Sequence, residues 1–389
     1  MENKRNLNKR IVVTGGGSGG HVSTASAIIT SLDKKYNLTK ENFLYIGGDL
    51  GMEDEKPGNS IEKKIFAKES FNQKYIRAGK LQRSLSFKTI YLLFRVILGF
   101  IDSIKIIKNF KPNIVISTGG FVTVPVCLIA KLFKSEIYLH EQTAAVGLSN
   151  KIVSKVAEKI FVTFPSSFQH FPKEKTIHTG NLIRPEIFQK TGTGPIIQPL
   201  KKMLEKQEEL PIVYISGGGL GSHIINSTVK YSLSSLLQDF QIILQTGDNK
   251  SFNDYDSLMN EKKKLAKNLY DRFMPVKYVD KNEIGFLLNN IDIFVGRGGA
   301  NTVYEMGVLK IPSIFIPIPW VTYNEQEKNS LILKELGLAE ILNEGELTPE
   351  QLTLKLKRFC DKKREYNEKD ISRVFLVDAD KKILESIGL

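Results

Sequence analysis

Cysteine is almost missing from this chain: Cys127 and Cys360 are the only two among 389 residues. They lie far apart and match no metal or redox spacing, which excludes a disulfide framework or a zinc knuckle and fits a reducing compartment. No run of roughly 18 apolar residues is free of charge, so no segment is expected to span a bilayer. The first ten residues are basic but carry neither an apolar core nor a small-residue cleavage site, and no signal peptide is read there. A cytosolic or peripheral protein is expected. Acid is in short supply too, with 42 Asp and Glu against 55 Lys and Arg, a net charge of +13. That excess invites a polyanionic partner such as nucleic acid, an anionic membrane or a phosphate-bearing substrate. Aromatic stacking platforms and nucleic-acid motifs are lacking, so nucleic acid is not expected. Much of the lysine is scattered through polar segments such as 261–267 and 362–364, the pattern of a solvated surface.

The chain is rich in glycine, and the glycines gather in turns. With 41% hydrophobic and 25% charged residues, the composition is globular, and the length suffices for two domains. Residues 11–14 form a short β-branched run, followed by Gly15-Gly16-Gly17-Ser18-Gly19-Gly20-His21 and a predicted helix over 23–32. The glycine spacing matches neither a dinucleotide fingerprint nor a Walker loop, although such a turn lets backbone approach phosphate or sugar closely. His21 stands at its mouth, where a neutral imidazole can serve as a general base; a histidine capping or packing on the helix is the plainer alternative. Further strands are predicted at 43–48, 113–117, 136–140, 159–163 and 175–180, with a second glycine turn at 118–121. After a polar linker at 191–209 the grammar restarts. Strands are predicted at 211–216, 240–246, 277–279, 291–295, 313–317 and 339–341, with glycine turns at 217–222 and 296–299. Glu305 lies more than a turn into the helix after the last glycine turn, on one face with Asn301 and Thr302. It is placed to accept from a ribose diol, or equally to be a solvated helix glutamate.

Repeated β-turn-α units of this kind make parallel, doubly wound sheets that bind ligands at the C-terminal strand edges. The predicted architecture is α/β, two Rossmann-like domains facing a cleft. The first covers 1–182 together with a C-terminal crossover helix at 371–389, and the second covers 183–370. Residues 86–110 read as one long helix. Its apolar positions cover more of the circumference than one buried stripe needs, and lysine and arginine flank them. Leu93, Ile97 and Phe100 are therefore candidates for contact with anionic lipid, with a core helix as the alternative.

With these residues in place, the chain resembles the MurG family of bacterial GT-B glycosyltransferases. Seven motifs keep the family's order: 16–21, 119–122, His140-Glu141-Gln142 with 147–151, 180–184, 217–222, 297–305, and Gln326 with Asn329. The resemblance implies an inverting transfer, without metal or other cofactor, of N-acetylglucosamine from UDP-N-acetylglucosamine to the undecaprenyl-diphosphate-linked muramoyl peptide. That reaction belongs to peptidoglycan synthesis at the cytoplasmic face of the cell membrane. It further implies that Val279 holds uracil through its backbone and Glu305 the ribose. Arg184, Gly219, Ala300, Asn301 and Thr302 would line the diphosphate. Gln326, Asn329 and Thr143 would meet the sugar, while Ser18, Gly19 and Gly20 lie near donor and acceptor. His21 and Glu141 are the candidate catalytic residues. Two Asp-x-Asp spellings, at 254–256 and 378–380, sit in polar helical stretches and are read as chance. The chain departs from the family at Thr143, for the usual asparagine, and at Gly219, for serine. Leu220 and Glu325 replace glutamine, and Ser23-Thr24-Ala25 replaces Phe-Pro-Gly/Ala. Other readings are a GT-B enzyme with a different UDP-sugar or lipid acceptor, and a catalytically silent sugar-nucleotide-binding partner. A sugar-nucleotide epimerase would need several acids around the sugar, which the sequence does not offer.

Overall fold

The computed structural model describes residues 4–50, 58–79, 87–205, 210–361 and 370–389, with the backbone alone at 87–91, 93, 322 and 361. It divides into two compact units, 1–183 with 376–389, and 184–375. Among the described residues the first unit holds a seven-stranded parallel sheet. Its strand order is Gln73–Ile76, Phe43–Gly48, Ile11–Thr14, Ile114–Ser117, Glu136–Glu141, Lys159–Val162 and Thr176–His178. The central strands are β-branched and fully buried because helices cover both faces. Ile11 pairs with both Phe43 and Ile114, so the order of connection reverses on either side of Ile11–Thr14. Such a reversal opens a crevice at the C-terminal strand ends, and the turns at 15–20, 118–121 and 142–147 emerge there.

The second unit repeats the plan with six parallel strands, ordered Phe273–Val276, Gln241–Gln245, Ile212–Ser216, Ile293–Gly296, Ser313–Phe315 and Ala339–Ile341. Its reversal falls at Ile212–Ser216, which pairs with Gln241–Gln245 on one side and Ile293–Gly296 on the other.

Three sequence-based expectations shift. The first helix begins at Gly19 rather than 23, because Ser18 caps it and brings Gly19, Gly20 and His21 into its first turn. The strand expected at 277–279 lies instead at Phe273–Val276, leaving Val279 in the loop beyond it. The helix expected over 371–389 is confined to Ala379–Ser386, after a turn at 372–374. Ile383, Leu384 and Ile387 carry that last segment into the first unit's core, and Ser31 donates to Asp380 at 3.0 Å.

In the first unit two glycine turns press backbone against backbone. Gly16 N–H donates to Gly119 O at 3.2 Å, and a Cβ on Gly120, whose φ is +91°, would fall 1.9 Å from Gly16 O. Gly218, with φ +90°, faces open space. Gly120→Ala therefore combines about 1–2 kcal/mol of left-handed strain with about 1–3 kcal/mol of overlap, whereas Gly218→Ala incurs the strain alone. Thermal melts should show the larger loss of midpoint for Gly120→Ala; equal losses would refute the interlock.

Candidate active site

A cavity of about 470 Å³ opens in the second unit at its strand reversal. The turn at 217–219, the start of helix Ala300–Val308, Arg184, Val279, Glu305 and Gln326 all line it. Helix starts leave backbone N–H groups without intrahelical partners, and glycine lets a ligand approach them, so this wall suits a diphosphate. Gly298 presses on the next helix, where a Cβ would meet Gln326 O at 2.4 Å, and Asn329 Nδ2 donates to Gly298 O at 3.1 Å. These contacts fix the turn ahead of Ala300.

Glu305 is buried, and Arg184 grips it with both ends of the guanidinium: Nε donates to Oε1 at 2.6 Å and Nη2 to Oε2 at 2.7 Å. Burial works to lower the Arg184 pKa, but the facing carboxylate outweighs it and holds the guanidinium above its usual value. The pair is a charged donor-acceptor set already assembled inside the cavity. Arg297 also lines the cavity, but its guanidinium is committed to Ser222 Oγ, Ile316 O and Glu344. The floor is joined by Gln245. Its Oε1 accepts from Tyr214 at 2.9 Å and from Val279 N–H at 3.2 Å, and its Nε2 donates to Gly218 O.

Six donor-side residues expected from the sequence thus line one cavity: Arg184, Gly219, Val279, Thr302, Glu305 and Gln326. Ala300, Asn301 and Asn329 do not line it, and Asn329 is fully buried with its amide on Gly298, which makes it a support for the turn. Val279 offers less backbone to a base than expected, since Gln245 takes its N–H. Gln245 and Tyr214 were not picked out from sequence; the signal was a glutamine at the C-terminal end of a buried strand.

The first unit gathers the remaining residues around His21. Its Nδ1 lies 2.8 Å from Thr118 O, an acceptor only, so Nδ1 carries the proton and Nε2 the lone pair. Burial pulls the His21 pKa down to about 4, with the Thr118 carbonyl working the other way. The ring is neutral near pH 7. Ser18 caps the helix through its bond from His21 N–H, and Gly19 and Gly20 form the first turn. Glu62, which the sequence did not suggest, is buried beneath the turn and accepts from Gly17 N–H at 2.8 Å.

Glu141 and Thr143 require correction. Glu141 is buried; Oε1 accepts from Thr143 N–H at 3.0 Å and Oγ1 at 2.9 Å, and Oε2 from Asn150 Nδ2 at 2.9 Å. A carboxylate so enclosed has both oxygens engaged in holding the 142–150 loop, rather than turned to a reacting group as expected. The Thr143 side chain is turned into that same loop, with Ala145 O as its other neighbour, and is buried. On helix Phe87–Phe110, Ile97 is exposed but Phe100 packs against the core; the Leu93 side chain lies outside the described residues. Phe94, Ile101 and Ile104 are exposed instead. Arg77 pairs with Asp102, and buried Arg95 with Asp49. Among the described residues no helix is long and apolar enough to cross a membrane. Asp254, from the first Asp-x-Asp, accepts from His223 and Asn226, and Asp378 pairs with Lys382.

Two parallel-sheet α/β units with glycine turns at their C-terminal edges define a GT-B fold. Residues 11–162 match the glycosyltransferase family 28 N-terminal domain and 212–383 the family 28 C-terminal domain. The chain belongs to glycosyltransferase family 28, and within it to the MurG family. The UDP-N-acetylglucosamine--N-acetylmuramyl-(pentapeptide) pyrophosphoryl-undecaprenol N-acetylglucosamine transferase of Clostridium novyi (strain NT) is 32% identical over 359 residues, 92% of each chain. Acinetobacter baumannii MurG has the same fold, with a TM-score of 0.73 at 19% identity over 98% of this chain and 99% of that one. A Neisseria meningitidis UDP-GlcNAc 2-epimerase shares it as well, with a TM-score of 0.60 at 13% identity over 97% and 99%. Fold alone therefore does not select the reaction.

His140 is also buried, with Nε2 on Gly180 O and its pKa lowered to about 4 by burial. Between pH 6.5 and about 4 the unfolded chain binds protons at both histidines that the folded chain refuses, so their contribution to stability is complete above pH 6.5 and lost on acidification. Burial raises the carboxyls of Glu62 and Glu141, which act in the opposite sense. Comparing wild type with His140→Gln isolates one histidine: the variant should lose less stability between pH 6.5 and 4.5 in denaturant titrations. Parallel pH curves would contradict this.

Proposed function

We propose that the protein transfers N-acetylglucosamine from UDP-N-acetylglucosamine to a hydroxyl of undecaprenyl-diphosphate-linked N-acetylmuramoyl pentapeptide, as the names of its relatives describe for them. The observation that carries the reading is the second unit's cavity, where Glu305, Arg184 and a helix start converge beside the 217–219 turn. A uridine ribose would donate its diol to Glu305. Arg184, released or shared, would then turn to the diphosphate, so donor binding exchanges one ion pair for two sets of charge-assisted bonds. Gln326 would meet the sugar. As the acceptor oxygen bonds to C1, its proton passes to Nε2 of His21. The C1–O bond to UDP breaks with its electron pair on the diphosphate, where helix N–H groups and Arg184 stabilise the growing charge. Attack opposite the leaving group inverts C1 without a covalent intermediate, and this chain's own groups supply each role.

Turnover of UDP-N-acetylglucosamine with a short-chain lipid-linked muramoyl peptide, in EDTA, tests this. Wild type should form product, and Glu305→Ala should lower kcat/KM about 100-fold, the scale of losing charged hydrogen bonds. Donor binding without product would favour another acceptor, and no donor binding would favour another UDP-sugar. The departure at Gly219, which faces open space where the family has serine, is the feature that favours that second reading.

The outward face formed by Phe94, Ile97, Ile101 and Ile104 lies beside exposed Lys105 and Lys108, while Leu132, Phe133, Lys131 and Lys134 are exposed at the end of the following helix. It suits anionic lipid at the cytoplasmic face of the membrane. Phe94→Glu with Ile97→Glu should abolish cosedimentation with phosphatidylglycerol vesicles while leaving the melting midpoint in place. Retained binding would remove this surface from the account.

A further inference from the structure

Gln142 sits in the family signature but has been given no task. It is buried, and its amide lies against four groups of the first helix, on Gly20, His21 and Thr24. Because His21 Nδ1 must carry a proton for Thr118 O, the Gln142 atom 2.8 Å from that nitrogen is the amide oxygen. In that orientation the oxygen also accepts from His21 N–H at 3.2 Å, and the amide nitrogen donates to Gly20 O at 3.0 Å and to the hydroxyl of buried Thr24. Every polar atom of the amide is satisfied, and the reverse orientation would set donor against donor. Thr24 Oγ1 donates in turn to Gly20 O at 3.1 Å.

We infer that Gln142, gripped by Thr24 and the Gly20 carbonyl, is the positioning residue that fixes the His21 ring with Nδ1–H turned inward and the Nε2 lone pair available to the acceptor. The inference rests on the reading of His21 as the base. In many hydrolases a carboxylate orients the histidine; here a neutral amide and a peptide carbonyl share the Nδ1 proton. When Nε2 takes a proton, both acceptors stabilise the imidazolium without a charge having been buried beforehand. Thr24 gives this device a feature of the chain's own, because a proline at that position, as in the family pattern, has no hydroxyl to receive the amide.

Among the described residues, no charged side chain acts directly on His21. Thr118 and Gly119 face it from one turn, and Gly119 has room only for hydrogen, since a Cβ would lie 2.8 Å from the ring. Asn150 stands beside Gly119 from a second turn. Among the described residues, the carboxylates of Glu62 and Glu141 are committed elsewhere, Glu62 to Gly17 N–H and Glu141 to Thr143 and Asn150. A negative charge introduced at 142 would therefore act directly on His21.

The test measures His21 titration by NMR in the full chain, beside the pH profile of kcat. Gln142→Glu should raise the His21 pKa, and the acid limb of kcat with it, by about one pH unit or more. Gln142→Met, which fills the space without accepting, should lower kcat about tenfold while KM for the donor stays within about twofold. Thr24→Val should show a smaller loss that Thr24→Ser restores. A Gln142→Glu titration curve superimposed on wild type overturns the proposal. If that variant does not fold, equal kcat in Thr24→Val and wild type overturns it instead. The NMR titration needs no turnover, so it still decides the role of Gln142 if the transferase reading fails.

Discussion

Backbone meeting backbone, with no Cβ between, is the constraint on which both units depend. In the first, Gly120 lies so close to the Gly16 carbonyl that the turns after two neighbouring strands behave as one piece. In the second, a Cβ on Gly221 would fall 1.9 Å from Thr246 O, binding the 217–222 turn to the end of the adjacent strand. These contacts occur where the strand order reverses and the turns must crowd together. Because the turns are fixed, the first turn of each following helix is fixed too, and with it the direction of its unpaired N–H groups.

Carboxylates divide into two kinds on this frame. Glu62 and Glu141 are enclosed, accept from backbone or amide N–H groups, and hold loops in place. Burial raises both, a cost met by the hydrogen bonds they accept. Glu305 is buried as well but lines a cavity, and its partner is a half-exposed side chain rather than a backbone group of a turn. A bond to Arg184 can be exchanged; a bond to Gly17 N–H cannot be exchanged without undoing the turn. That difference, not the residue type, separates a carboxylate locked into a turn from one open to a ligand.

The fold was legible because buried parallel strands spell themselves as short β-branched runs, and glycine turns mark their ends. Periodicity failed at 277–279, where a mixed Lys-Tyr-Val stretch lacks the burial that Phe273–Val276 has. Glu305 and Arg184, singled out by their places after a strand and a turn, both line the second unit's cavity. Asn329 was misread because its motif position names a residue but not the direction of its amide. Glu141 and Thr143 were misread for the same reason, since a signature cannot show which members face inward. Gln142 was passed over because its task depends on Thr24 and Thr118, each remote in sequence, and only the folded chain brings them to one imidazole. Of the positions expected to face outward on the long helix, Phe100 instead packs on the core, while Phe94 is exposed.

The central claim is that Glu305 is the acceptor for a nucleotide's ribose diol, exchanging Arg184 for it. The most direct measurement is calorimetric binding of UDP against 2′,3′-dideoxy-UDP, in wild type and in Glu305→Ala. The account predicts that wild type binds UDP about tenfold or more tightly than the dideoxy analogue, and that the preference disappears in Glu305→Ala. Equal affinity of wild type for the two nucleotides would contradict it.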